Sequence, residues 1–129
     1  MSSKHIIVNH LRAVGMHHHG SKELTVNGKY TLEWEPHCIH DLGNAMAVKD
    51  HHGITRAYLA RPDAYVISSL CYGDVVQGTI FCKPVTESHV EYQHLGPQHE
   101  CRLKFKTLSS QLPFISYVLE GASINYSIV

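Results

Sequence analysis

The sequence has no excess of charge of either sign: eleven Lys and Arg face eleven Asp and Glu in 129 residues, a formal net charge of zero with histidine neutral. Such a balance argues against a basic coat that holds nucleic acid without selectivity, so any anion site has to be local. Long apolar runs are missing as well. Segments such as residues 5–8 and 113–119 fall far short of the roughly 20 residues that a membrane-spanning helix needs. The opening Met1-Ser2-Ser3-Lys4 leads into three consecutive apolar residues, Ile6, Ile7 and Val8, too few for the apolar stretch of a secretion signal, and an intracellular protein is expected. Cysteine is sparse and scattered. Cys38, Cys71, Cys82 and Cys101 form no Cys-x-x-Cys pair and no finger spacing, which points to reduced, mostly buried thiols. No nucleotide-triphosphate loop, G-x-S-x-G elbow, H-E-x-x-H helix or kinase signature occurs, so the common marks of an enzyme are absent, and neither catalysis nor a cofactor is expected. Without a repeat or a low-complexity linker, residues 1–129 are expected to form one domain.

What the chain does have is histidine, twelve in all, many in short groups: His17-His18-His19, His37 with His40, and His51-His52. Hydrophobic residues make up 43%, and a chain of this length buries roughly 68–70% of its unfolded surface, enough for a core without metal or disulfide staples.

Strand-like patterning dominates. Residues 5–16 are β-rich, but the apolar spacing 8, 11, 14 is irregular and predicts a bulge or bend. Asn27-Gly28 between residues 23–26 and 30–35 predicts a hairpin, with Tyr30, Leu32 and Trp34 on one face of its second arm. Residues 36–43 hold too many turn formers for a strand and predict a loop. Further strands are expected over residues 45–50, 54–59, 74–83 and 99–106. Pro62 and Asp63 suit the first turn of a helix ending before Gly73, with Tyr65, Val66, Ser69 and Leu70 as its packed face. The tail from residue 108 onward is open between helix and strand, with Gly121 as a break. The fold class these elements imply is α+β, mainly β: a small OB-like β-barrel with one clear helix and a C-terminal extension over residues 107–129.

The most specific feature is an order of motifs: a strand ending Val14-Gly15-Met16, a loop of ring-bearing residues, Glu35-Pro36 and a turn to Asp41, then Asn44-Ala45-Met46-Ala47-Val48. A later strand ends Arg56-Ala57-Tyr58-Leu59 just before the helix. Across residues 8–106 this order resembles the HIRAN domain, a module at the front of SWI/SNF-type fork-remodelling translocases that also stands alone. The resemblance implies a small OB-like barrel that binds the free 3′ end of single-stranded DNA. It assigns Asp41 as the acceptor for the 3′-hydroxyl and Arg61 as a phosphate contact. His37 and Cys38 stand where the family has paired Asn, Ile39 replaces its Pro, and His40 replaces a base-stacking Tyr. In the first loop His18 stands for a Tyr and His17 for an Arg, and the Leu42-Gly43 pair adds one residue before Asn44. The candidate nucleic-acid-binding residues are therefore His17, His18, His37, His40, Asp41, Tyr58 and Arg61, with a nuclear location implied if the DNA role holds.

Imidazole rings at these positions keep a planar face for base stacking and gain positive charge near an unperturbed pKa of about 6.5. Other readings stay open. His37, Cys38 and His40 with any of residues 17–19 offer ligands suited to zinc, but no matched second pair is present, so no resident metal is expected. A relative that has lost nucleic-acid binding and serves as a protein-interaction or metal-dependent module is the main alternative. A small hydrolase using Asp41 and the histidines is the least supported. Arg102, Lys104 and Lys106 share one strand face, either a phosphate track or a solvated sheet surface.

Overall fold

The computed structural model describes residues 2–16, 23–38, 41–88 and 96–129. Seven strands and two helices follow in the order β1 (Ser3–Val14), β2 (Tyr30–Glu35), β3 (Ala45–Lys49), β4 (Thr55–Leu59), α1 (Arg61–Tyr72), β5 (Gln77–Pro84), β6 (His99–Leu108), α2 (Leu112–Gly121) and β7 (Tyr126–Ile128). The sheet order is β4-β3-β2-β5-β6-β1-β7, every pairing is antiparallel, and β1 also pairs with β4. That last pairing closes six strands into a barrel, and β7 lies outside the ring as a clip on the first half of β1. The expected mainly-β barrel is what the chain forms.

β1 explains how one strand can serve both jobs. Ile6 and Val8 point into the core, then the register slips between Val8 and Leu11, His10 takes a positive φ of 64°, and the inward residues become Leu11 and Ala13. The extra residue flips the side-chain alternation and bends the strand, as a bulge does. The irregular apolar spacing in the sequence is this bulge. The second half of β1 then reaches β4 through Ala13 opposite Leu59 and Val14 opposite Tyr58.

β6 shows the cleanest alternation, with Cys101, Leu103 and Phe105 buried and Arg102, Lys104 and Lys106 exposed. Phe105, Ile6, Leu11, Leu103, Ile67 and Ile115 are among the largest fully buried side chains of a core shared by the barrel and both helices. His99 is also fully buried, and both of its ring nitrogens are used: Nε2 accepts from the Leu24 N–H and Nδ1 meets the Thr86 carbonyl, each at 2.8 Å. Since a carbonyl can only accept, the ring is the neutral tautomer with its proton on Nδ1.

Two expectations need correction, and the open reading of the tail is resolved. The segment before Asn27 is not a hairpin arm: residues 23–25 are irregular, and β2 pairs instead with β3 and β5. Asn27 does adopt the left-handed conformation (φ 61°) that the Asn-Gly signal encodes, but it builds a tight turn in which the Gly28 N–H bonds the Thr25 carbonyl at 2.8 Å. The packed face of α1 is Ala64, Ile67, Ser68 and Leu70, so Tyr65 is 66% exposed and Ser69 only half-buried. The tail holds a second helix followed by a strand. Ile115 and Leu119 of α2 enter the core, and β7 adds to β1.

Candidate nucleic-acid interface

The site is built on the outer face of β2, β3 and β4 and on the start of α1. The register sets Glu35 beside Ala45 and Ala47 beside Tyr58, so these four share a face of the sheet. Neighbouring strands lie about 4.8 Å apart, and the small alanines of the middle strand leave Tyr58 room to lean across it. Its hydroxyl donates to Glu35 Oε1 at 2.8 Å. Burial, this hydrogen bond and the negative charge of Glu35 push the Tyr58 phenol up to about 12, so it stays a neutral donor.

The loop after β2 is wound on a few backbone bonds. The Cys38 carbonyl accepts from Asp41 N at 3.3 Å and from Gly43 N at 3.0 Å, and the Asp41 carbonyl accepts from Asn44 N at 2.9 Å. Trp34, on the last turn of β2, donates its indole N–H to the Gly43 carbonyl at 2.7 Å and so pins the loop. Leu42 (φ 53°) and Gly43 (φ 78°) both adopt left-handed conformations, and a Cβ at Gly43 would come within 3.0 Å of the Pro36 carbonyl oxygen. The Leu42-Gly43 pair therefore turns the chain sharply enough to place Asp41 above the start of α1.

There Arg61 Nε donates to Asp41 Oδ1 at 2.9 Å. Asn44 and Ser68 join the loop to the helix, with Ser68 Oγ donating to Asn44 Oδ1 at 3.0 Å. On the other side, Asp63 in the first turn of α1 accepts from the Arg12 N–H at 2.9 Å, fastening the helix to β1. Burial raises the Asp63 carboxyl above its ordinary range, while the Arg12 N–H and charge act in the opposite direction.

Asp41, Tyr58 and Arg61 line one cleft of about 240 Å³ together with Leu42, Asn44, Leu59 and Tyr65. Three of the seven residues singled out from sequence thus come together from two stretches of chain, the loop after β2 and the junction of β4 with α1. His37 is exposed in the turn after β2 and does not line the cleft. His17, His18 and His40 lie outside the described residues, as does most of the proposed zinc-ligand set. Among the described residues no three His, Cys, Asp or Glu side chains are grouped to hold a metal ion.

Sequence reasoning missed Tyr65 and the role of Glu35 toward Tyr58. Tyr65 is an exposed ring at the cleft, and the signal for it was the small-residue face Ala64-Ile67-Ser68, which rotates Tyr65 outward.

No family sequence model and no curated protein sequence matches the chain. The architecture is that of a small closed OB-like β-barrel. Among solved structures, the crystal structure of the HIRAN domain of human HLTF is similar, with a TM-score of 0.69 at 15% identity over 90% of this chain and 92% of that one. The likeness read from Asp41, Asn44-Ala45 and the strand before α1 is thereby met at the level of the fold.

Proposed function

We propose that the chain is a non-catalytic nucleic-acid-binding module of HIRAN type, one domain over residues 1–129, that takes the 3′ end of single-stranded DNA at the cleft beside Asp41 and acts in the nucleus. The observation that carries this reading is the convergence of Asp41, Tyr58 and Arg61 on one cleft of a HIRAN-like barrel. The chemistry is compatible with an end. After accepting from Arg61, the Asp41 carboxylate keeps lone pairs for a terminal hydroxyl, while the remaining guanidinium donors of Arg61 can serve a phosphate. Tyr65 offers an exposed ring for a base, the role that a stacking platform fills in single-strand binding. His17, His18, His37 and His40 are proposed as the further contacts to the strand, His37 from the turn after β2 beside the cleft rather than within it.

The test is fluorescence anisotropy with single-stranded DNA bearing a free 3′-hydroxyl or a 3′-phosphate, with and without chelator. Preference for the free hydroxyl, tightening from about pH 8 to pH 6 and indifference to chelator are expected. Absence of binding to either end at low salt and pH 6 would transfer the cleft to a protein partner.

A further inference from the structure

Among the described residues, the outer wall formed by β5 and β6 holds more cations than acids. Arg102, Lys104 and Lys106 project outward from β6, and the register sets Lys83 opposite Arg102 and Phe81 opposite Lys104. Phe81 is 57% exposed although it lies in the middle of β5, between β2 and β6. Two hollows of about 440 and 620 Å³ flank it, and Lys29, Phe81 and Lys104 border both. The acids on and beside the wall are engaged: Glu100, on β6 itself, meets His10 at 3.3 Å, Asp50, which borders the hollow of about 440 Å³, bridges Arg56 at 2.8 Å, and Glu33 bridges Lys49 at 2.8 Å. Among the described residues, no carboxylate lies within ion-pair distance of Lys29, Lys83, Lys104 or Lys106. In a chain of zero formal charge this wall is a local surplus of positive charge around one exposed ring.

We propose that this wall is a second nucleic-acid surface, a track for the interior of a single strand. In this arrangement Phe81 stacks a base and Lys83, Lys104 and Lys106 neutralise phosphates on either side. Alternate outward residues on β6 recur about every 7 Å, which spreads the cations along a line rather than into one pocket. An acidic peptide could use the lysines but has no need of the ring, and a membrane would require more apolar surface than one phenylalanine supplies. The track shares no residue with the cleft at Asp41, so it stands apart from end recognition.

The discriminating probe is circular single-stranded DNA, which has no 3′ end, titrated with the full chain at low salt. Binding is expected, and Phe81→Ala should weaken it by roughly 5- to 150-fold, the range for loss of one stacked base. Lys104→Gln should lower the salt slope by about 0.7, as for one phosphate contact on a single strand. Neither substitution should change the ratio of affinities for 3′-hydroxyl and 3′-phosphate ends. Both side chains are exposed, and unchanged circular dichroism and melting would confirm that the variants fold. The proposal is overturned if circular DNA does not bind, if both folded variants bind it as wild type does, or if polyglutamate or phosphatidylserine vesicles displace it at matched charge. Loss of end preference with retained circular binding would count against the cleft and not against the track.

Discussion

Arg61 and Asp41 meet at 2.9 Å across twenty positions of sequence, yet the Arg61 side chain is 83% exposed and that of Asp41 28% exposed. An ion pair this wet contributes only about 0–1 kcal/mol to stability, so it orients two ligand-facing groups more than it holds the fold. Substituting either residue is therefore expected to leave thermal unfolding nearly unchanged while altering binding. Arg61→Ala should weaken all single strands and reduce the salt slope by about 0.7. Asp41→Ala should abolish the preference for a 3′-hydroxyl over a 3′-phosphate, because the carboxylate accepts from the former and repels the latter. Anisotropy over a salt series separates the two, and a uniform loss for all ends in both variants would refute the division of roles.

Tyr58 links the cleft to alkaline stability. Its pKa is pushed up to about 12 in the folded chain, against about 10 for an unperturbed phenol. The folded state therefore holds this proton more tightly, so the stabilisation is complete below about pH 10 and is lost as pH rises toward 12. Burial also raises the Cys71 thiol to about 11, which adds loss in a window beginning near its ordinary value. Tyr58→Phe should remove the Tyr58 part alone, seen as a shallower fall of denaturation midpoint with pH. Identical slopes for wild type and variant would contradict the raised phenol that burial and the Glu35 bond together produce.

Asp50 governs the opposite end of the pH scale. Oδ1 accepts from the His52 and Ile54 amides at 2.9 and 3.0 Å, and Oδ2 accepts from Arg56 Nε at 2.8 Å. The Arg56 hydrogen bond is the main reason the carboxyl falls to about 2. A depressed pKa gives stability that is present above the unfolded value near 4 and disappears as pH falls through 2. Asp50→Asn should lower the melting temperature at neutral pH and flatten its decline between about pH 4 and pH 2, as thermal melts across that range would show.

His99 tests the interior. His99→Leu would orphan the Leu24 N–H and the Thr86 carbonyl together, at an expected cost of about 2–4 kcal/mol in urea unfolding. A loss below about 0.5 kcal/mol would show that these backbone groups find other partners.

Much of the barrel was legible because its periodicities are undisturbed where one face meets the core. Leu32 with Tyr30 and Trp34, and Cys101-Leu103-Phe105 against Arg102-Lys104-Lys106, alternate as half-buried strands must. The break after Val8 was visible as an odd step in the same pattern. The features that escaped were set by partners far away in sequence. Asn27-Gly28 encodes a turn but not the partner of the strand beyond it, and β2 found β5, some fifty residues on, rather than the segment before the turn. On α1 the small residues Ala64 and Ser68 mark the buried face, and a reading by bulk chose Tyr65 instead. The pairing of Asp41 with Arg61 and the lean of Tyr58 toward Glu35 depend on loop geometry and strand register, neither of which is local.

The seam between β1 and β4 has a meaning beyond architecture. Five of the junctions around the ring run through three or more register pairs, but this one is Ala13–Leu59 and Val14–Tyr58 alone. The seam is the shortest strand overlap of the hoop, continued among the described residues only by the Ala60 N–H to the Arg12 carbonyl and the Arg12 N–H to Asp63, and both of its β4 residues, Tyr58 and Leu59, are walls of the cleft. Whatever settles in that cleft acts as a clasp on the hoop. Occupancy and closure are then one equilibrium: a ligand that favours the shut ring holds it shut, and slackening of the ring loosens its grip on the ligand.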